Sequence, residues 1–293
     1  MREISTQSTN KVTIAGKLLD ITFNTGKTKD GKPYERANMT IRVTQTYGGR
    51  TETSDIPVSS FATQFTKAGT TNPAYTSLQQ LKELKSVQNV GIDDADVICM
   101  SGAQLKENAF VTKSGQLVTG WQLNSSFFNN RKVADVASFA VDIFIMDMRD
   151  ELDREGDTTG RLIIKGGIVQ YGGALDIVEF IVENSDTIDH ISRYWQVNQT
   201  VQVRGRVRYT SVEETKAVSG DSWGEEVPVS STKIVRELVV TTGDDEDEDK
   251  SYDATEIKKA FNARKARHEQ LMLEAKTTAQ PKPAASKSLM GWE

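Results

Sequence analysis

The same order of predicted secondary-structure elements occurs twice in the sequence. Each copy starts with a glycine-punctuated apolar strand and continues with a strand, turn and strand, a short amphipathic helix, and closing strands. The first copy runs from Asn10 to about Asn129, and the second from about Val136 to Gly243. Five strands with a helix between the third and fourth is the order of an OB barrel, which leaves no exposed sheet edge. We therefore predict a mainly β protein with two OB-fold-like five-stranded barrels, each with a short helix between strands 3 and 4.

Changes in composition divide the chain into three parts. A polar link at 129–132 separates the two copies, so a first OB-like domain is predicted over residues 1–132 and a second over 133–243. Residues 244–293 are expected to form a C-terminal tail. A chain of 293 residues is long enough for two such domains and a tail.

The tail begins with an acidic run, Asp244–Asp249, which is expected to be solvated. Asp253 and Glu256 form a capping box, which predicts a helix over Ala254–Ala275. Thr277–Ser288 contains two prolines and is typical of a flexible linker. We predict an acidic and partly helical tail.

The cellular setting is predicted from what the sequence lacks. No apolar run is long enough to cross a bilayer, and Met1–Ser5 contains no apolar core of a secretory signal. Cys99 is alone, so no internal disulfide is expected, and its apolar neighbours predict burial. These features favour a cytoplasmic protein with no membrane partner.

Patterns that indicate catalysis are missing as well. His190 and His268 have no metal-ligand spacing around them, and there is no Gly-x-Ser-x-Gly nucleophile motif. Thr25–Thr28 contains Gly-Lys-Thr but lacks the earlier glycine of a phosphate-binding loop. We therefore expect no enzyme, no cofactor and no metal.

The charge is uneven along the chain. The formal net charge of −5 argues against strong nonspecific binding to nucleic acid. Local distribution matters more, however, and Lys11–Arg50 holds eight basic residues against three acidic ones. A nucleic-acid partner, if there is one, is thus expected at the first barrel's early strands.

The second strand of the first copy has two different faces. Alternate residues such as Met39 and Ile41 are apolar and predict a core, whereas the opposite face carries an aromatic ring and guanidinium groups. OB folds bind oligonucleotides on strands 2 and 3 and on the adjoining loops, where cations follow phosphates and rings stack on bases. The candidate binding residues here are Lys27, Lys29, Lys32, Tyr34, Arg36, Arg42, Tyr47 and Arg50. An ordinary solvated face is the alternative, and Tyr34 equally suits the end of a barrel core.

The second copy offers a weaker set of candidates. They are Lys165 and Tyr171 near its strand 2–3 turn, the arginine stripe Arg204, Arg206 and Arg208, and Trp223 in a polar loop predicted over Ser211–Ser231. The alternative is that nearby acidic residues, such as those of Asp150–Asp157, pair with the arginines. Trp121 and Trp195 are assigned to the barrel cores.

The opening strand Asn10–Leu18 resembles that of bacterial single-stranded DNA-binding proteins, which follow Asn-Lys-Val-x-Leu-x-Gly-x-Leu. Arg36–Val43 is similar to their second strand. The layout, with Thr159–Leu162, Tyr171–Gly173 and Val235–Val240, resembles two-barrel members of that class from phages and prophages of Gram-positive bacteria. The resemblance implies a replication or recombination protein that coats exposed strands.

One departure from the resemblance concerns the C-terminal tip. Bacterial members end in an acidic tip that docks replication partners, whereas the acidic run is internal here and the chain ends Leu289–Glu293. Docking of a replication or recombination partner through Trp292 is therefore a separate hypothesis, with a frayed terminus as the alternative.

These observations together predict a DNA-binding protein that binds single-stranded DNA without strong sequence preference and protects it during phage DNA replication or recombination. The alternative is an OB-fold protein-interaction or structural module without nucleic-acid binding, and a third hypothesis is an RNA-binding protein. Indifference to all oligonucleotides would favour the module, and preference for ribo-oligomers would favour RNA. No oligomeric state is predicted.

Overall fold

The computed structural model describes residues 2–130, 133–217 and 228–279, and their side chains except those of 212–217, 228–231 and 278–279. The strands are β1 (Asn10–Lys27), β2 (Pro33–Tyr47), β3 (Arg50–Thr63), β4 (Val97–Val111), β5 (Leu117–Asn124), β6 (Asn129–Asn130), β7 (Val136–Leu152), β8 (Thr158–Val169), β9 (Leu175–Val182), β10 (Thr200–Ala217) and β11 (Pro228–Asp244). The helices are α1 (Pro73–Gln80), α2 (Val87–Val90), α3 (Ser185–Tyr194) and α4 (Ala254–Ala279), with 3-10 turns at Leu81–Glu83 and Tyr171–Gly173.

The strands close into two barrels of the same topology. In the first barrel the order is β1-β2-β3-β5-β4, and β4 pairs back onto β1; in the second it is β7-β8-β9-β11-β10, and β10 pairs back onto β7. In both barrels the third and fifth strands pair in parallel, and the other pairings are antiparallel. The predicted fold class, a mainly β protein with two OB-like barrels and a C-terminal helix, is confirmed.

The first strands of the two barrels join them edge to edge. Residues Asn10–Ala15 of β1 pair antiparallel with Val136–Val141 of β7. Within the part of the chain that the structure describes, this pairing merges both barrels into one eleven-stranded sheet. Because the contact is between backbones, the two barrels are held in a fixed antiparallel register.

Alternation along each strand fills the barrel interiors. Ile14, Leu18 and Ile41 are fully buried in the first barrel, as are Ile143 and Phe180 in the second. Burying each such side chain stabilises a fold by about 1.5–3 kcal/mol. Trp121 and Trp195 are also buried, as is Cys99, in agreement with the sequence prediction.

Two glycines allow the strands to cross closely. A Cβ atom at Gly16 would overlap the carbonyl oxygen of Arg42, and one at Gly205 would overlap that of Val239. Each glycine therefore lies where a barrel strand passes too near its neighbour for any side chain. This accounts physically for the glycine within the opening apolar strand.

Each barrel extends a hairpin onto the other barrel. The β10–β11 hairpin reaches β3, where the backbone N–H of Tyr209 donates to Ser54 Oγ (3.1 Å), and we call this contact the strand junction. The β4–β5 hairpin reaches β9, where the N–H of Glu107 donates to Asp176 Oδ2 (3.1 Å). Helix α4 packs on β4 and β9 over this second contact, which we call the helix junction.

The C-terminal helix begins where the capping box predicts it. The Asp253 carboxylate accepts hydrogen bonds from the backbone N–H groups of Thr255 (2.8 Å) and Glu256 (3.0 Å). Tyr252 and Ile257 are buried in a small apolar cluster with residues of β7, β8 and β9. Ser251, Tyr252 and α4 thus pack on the barrels, whereas the acidic run Asp244–Asp249 is exposed. None of the helices described is long and apolar enough to span a bilayer.

Three elements differ from the sequence expectation. The single short helix expected between strands 3 and 4 of the first copy is instead α1, a 3-10 turn and α2, because the backbone becomes extended at Leu84. The first closing strand expected after this helix is β4, which runs for 15 residues from Val97 to Val111. Both ends of the loop expected over Ser211–Ser231 are strand, since β10 and β11 pair as far as Ala217 with Pro228.

Candidate nucleic-acid interface

The outer face of β2 and β3 carries a pair of aromatic rings. Tyr34 of β2 and Phe61 of β3 lie with their ring centroids 5.1 Å apart and tilted by 41°. Phe61 is 47% exposed although it is a phenylalanine, and the guanidinium of Arg36 lies 6.0 Å from its ring centroid. We call Tyr34, Arg36 and Phe61 the platform, because they place two partly exposed rings and a positive charge together on the outer face.

A glycine on the neighbouring strand lets the Tyr34 ring lie across the sheet. Gly26 pairs with Tyr34 between β1 and β2, and a Cβ atom there would come within 2.8 Å of the Tyr34 hydroxyl oxygen. A side chain at Gly26 would therefore displace the ring. The missing side chain at Gly26 thus leaves room for the Tyr34 ring beside Phe61.

The loop between β1 and β2 adds three exposed lysines, Lys27, Lys29 and Lys32. The loop is closed by hydrogen bonds from Thr28 N–H to the Lys32 carbonyl (2.9 Å) and from Lys32 N–H to Thr28 Oγ1 (3.1 Å). In the described residues, no carboxylate forms an ion pair with these lysines or with Arg36. We call the platform and the three lysines together the open face.

The remaining first-barrel candidates lie outside the open face. Arg42 makes a two-pronged salt bridge with Asp55 of β3 (2.8 and 2.7 Å), which raises the pKa of Arg42. Tyr47 donates to Gln45 Oε1 (2.7 Å), and the Arg206 guanidinium lies 4.6 Å from its ring centroid. Burial raises the pKa of Tyr47. Neither side chain is available for a strand, so we remove both from the proposed site.

Arg50 is exposed but distant from the platform along the strands. It pairs with Tyr47 at the far end of the β2–β3 hairpin, whereas Tyr34 lies at the start of β2. The structure therefore does not bring Arg50 together with the open face.

The arginines of the stripe on the second barrel form ion pairs with carboxylates. Arg206 and Arg208 are only 13% and 16% exposed in their side chains. Their partners lie on both barrels, and with Arg161 they form what we call the arginine–glutamate network: Arg161, Arg206 and Arg208 with Glu52, Glu151, Glu183 and Glu237. The expected free cationic stripe is corrected, because these guanidinium groups join the barrels at the strand junction.

The network has short and charge-assisted contacts. Arg208 donates to Glu183 (2.6 and 2.9 Å) and to Glu237 (2.7 Å), and Arg161 donates to Glu237 (2.6 Å). The hydrogen bonds from Arg208 hold the pKa of Glu183 below its usual range. Arg204 is also engaged, in a salt bridge with Asp244 (2.5 Å). Sequence reasoning anticipated acidic partners in Asp150–Asp157, and this segment contributes Glu151 to the network through Arg161. The carboxylates that pair with the stripe itself lie elsewhere, at Glu52, Glu183, Glu237 and Asp244.

Other candidates of the second copy are dispersed. Lys165 lines a cleft of about 630 Å³ between β8, β9, β5 and α4. Tyr171 is 89% exposed in the turn between β8 and β9 and lies at a different cleft. Trp223 and Trp292 lie outside the described residues. The structure does not assemble these residues into one surface.

Sequence reasoning missed Phe61, which the structure places beside Tyr34. The first-barrel candidates were taken from the second strand and the loops that adjoin it. Extending the alternation of Ile56 and Val58 through Ser60 and Ala62 puts Phe61 in the outward phase. A large aromatic in the outward phase of a strand is the signal that identifies it.

Similarity to known proteins agrees with this architecture. Single-stranded DNA-binding protein from Thermus aquaticus, in its wild-type crystal structure, is 9% identical, with a TM-score of 0.52 over 85% of this chain and 98% of that chain. A deletion mutant of the same Thermus aquaticus protein gives 10% identity and a TM-score of 0.50 over the same shares. At such identity the likeness shows the fold alone, and no curated protein matches this chain in sequence.

The fold defines a double-barrel OB protein with one open aromatic and basic face. In sequence, residues 8–276 match the YorF family. The match covers most of the chain, and the chain belongs to the YorF family.

Proposed function

We propose that this chain binds single-stranded DNA on the open face of its first barrel, with little dependence on sequence. The observation that carries the proposal is a half-exposed Phe61 that lies beside Tyr34, next to four cations that have no carboxylate partner among the described residues. The lysines and Arg36 neutralise phosphates, and the rings stack on bases. Duplex and single strands both offer phosphates, but stacking on these rings is available only from an unpaired strand, because duplex bases are already stacked.

The fold supports this choice of partner. The platform occupies strands 2 and 3 of an OB barrel and the lysines occupy the loop between strands 1 and 2, which are the surfaces that OB folds use for oligonucleotides. The Thermus aquaticus structure with this fold is named as a single-stranded DNA-binding protein. We extend that activity to this chain on the strength of its own open face.

We further propose a binding rather than enzymatic role, in protecting exposed strands during DNA replication or recombination of a phage or prophage in a bacterial cytoplasm. Among the described residues, no cluster of metal-ligating side chains is present. Partner proteins that bind the C-terminal tail belong to the same proposal. DNA rather than RNA is expected, and competition between deoxyribo- and ribo-oligomers tests this.

The direct test replaces Phe61 with Ala and measures anisotropy of a labelled oligo-dT at low salt. Loss of one stacked base weakens binding by about 5- to 150-fold, since stacking is worth about 1–3 kcal/mol. Tyr194→Ala is the matched control, because Tyr194 is an exposed ring on α3 of the other barrel. Equal losses in both variants, or no binding by the unmodified protein, would refute the proposed site.

A further inference from the structure

The two barrels have the same topology but opposite charge in the loop that follows their first strand. In the first barrel this loop contains Lys29 and Lys32 with one acidic residue, Asp30. In the second it is Asp153–Asp157, in which three carboxylates surround one arginine. A phosphate backbone is attracted by the first loop and repelled by the second.

The outer faces of the strands differ in the same way. The face of the second barrel that corresponds to the open face carries Arg149, which is paired to Asp147 (3.1 Å) and to Glu179 (2.7 Å). The described outward residues of β8 and β9 include no aromatic ring, and Phe180 of β9 is buried in the core. This face therefore lacks stacking rings, and Arg149 and Arg161 on it are paired with carboxylates, which leaves Lys165 as its one described cation without an ion pair.

The second face is also restricted in space. At one end it is tied to the first barrel through the arginine–glutamate network, where Arg208 pairs both with Glu183 and with Glu52 of β3. Across its middle, β5 and α4 stand opposite it on the other side of the 630 Å³ cleft, with Phe261 and Arg264 among the lining residues. An unpaired strand that reached this face would have to displace α4 or break ion pairs.

We infer that only the first barrel of this protein binds the strand. The second barrel holds the first barrel in place and covers part of its surface. The inference rests on the proposed single-stranded DNA binding and specifies its stoichiometry and footprint. One OB fold covers about 4–16 nucleotides. The chain therefore holds one short stretch of a single strand and does not wrap it around both barrels.

A length series of labelled oligo-dT, from about 6 to about 40 nucleotides, tests the footprint. Affinity should rise with length up to about 16 nucleotides. On longer strands, only the statistical gain from overlapping binding positions should remain. Two chains should then load on a strand of about 35 nucleotides. A second rise in affinity beyond about 20 nucleotides, with one chain per long strand, would overturn the inference.

Variants of the two faces separate this inference from the function on which it rests. Arg36→Ala with Phe61→Ala should weaken binding at least tenfold, whereas Lys165→Ala with Tyr171→Ala should change it less than about twofold, as a stacking or phosphate contact is lost only in the first pair. If the second pair weakens binding as much as the first, both barrels bind and the inference fails while the function stands. If the unmodified protein binds no oligo-dT, the function itself fails.

Discussion

The strand junction and the helix junction are related by the doubled topology, yet they are built from different chemistry. At the strand junction several guanidinium groups and carboxylates share their charge, and Arg236 lies between the rings of Trp121 (4.8 Å) and Tyr209 (5.7 Å). At the helix junction the charge is concentrated on Glu107, which is 2% exposed in its side chain.

The difference explains why the helix junction needs a segment from outside the barrels. Arg264 of α4 donates through Nε to both oxygens of Glu107 (2.8 and 3.1 Å), and Arg267 and His268 of α4 lie 3.5 and 3.4 Å from it. A buried carboxylate is tolerated only when it is paired and hydrogen-bonded. Without α4, Glu107 and Asp176 would be two neighbouring carboxylates with no guanidinium partner. The comparison teaches that a duplicated fold can close equivalent contacts in unequal ways.

The largest effect is expected from Glu107→Ala. It leaves the guanidinium of Arg264 without its buried partner, which typically costs about 3–5 kcal/mol. The free energy of unfolding from urea titration measures this loss. Glu256→Ala is the control on the same helix, because Glu256 forms only an exposed pair with Lys259, worth about 0–1 kcal/mol. A loss below about 1 kcal/mol for Glu107→Ala would show that α4 does not close the junction.

A smaller effect is expected at the strand junction, where several partners share the charge. Arg208→Ala should cost about 1–3 kcal/mol, since Glu183 and Glu237 keep other partners. In a double-mutant cycle, Arg208→Ala and Glu183→Ala should couple by about 0.5–3 kcal/mol. Arg208→Ala and Glu107→Ala share no partner and should add within about 0.5 kcal/mol. Strong coupling between the last two would mean that the junctions act as one unit.

The two junctions should contribute to stability with opposite dependence on pH. Arg208 holds the pKa of Glu183 below its ordinary 4.5, so the stability from ionised Glu183 is lost as the pH falls through the folded-state pKa. Burial raises the pKa of Asp176 above its ordinary 3.8, so its contribution is complete below that value and is lost as the pH rises through the folded-state pKa.

Two variants test this opposition. Glu183→Gln should flatten the loss of stability on acidification, and Asp176→Asn should flatten the loss as the pH rises from about 4. Urea unfolding between about pH 3 and pH 6 gives both profiles against the unmodified protein. Changes of the same sign in the two variants would contradict the assignment of opposite electrostatic environments.

Most of the barrel strands could be predicted from sequence because their residues alternate. Met39 and Ile41 face inward along β2, as expected, and the helix after Asp253 begins at its cap. The positions of α4 and the β10–β11 hairpin were not predictable, since both depend on pairs distant in sequence, such as Arg264 with Glu107. Periodicity reports which face of an element is buried but not which surface covers it.

For the candidate site, the sequence likewise predicts which side chains face outward but not what they contact. A cation on an outward strand position looks the same in sequence whether it meets solvent, as Arg36 does, or a carboxylate across the strand, as Arg42 does. The register that puts Asp55 opposite Arg42 and Phe61 opposite Arg36 decides between the two outcomes. That register is set by the hairpin turn at Gly48 and Gly49, where a shift of one residue would exchange the two faces.

The most direct test of single-strand binding is the salt dependence of oligo-dT affinity. Four phosphate contacts, from Lys27, Lys29, Lys32 and Arg36, release counterions and give a log–log slope of about −3. Duplex DNA of equal length should bind much more weakly at every salt concentration, because its bases cannot stack on Phe61. A slope near zero, or equal affinity for duplex and single strand, would contradict the account.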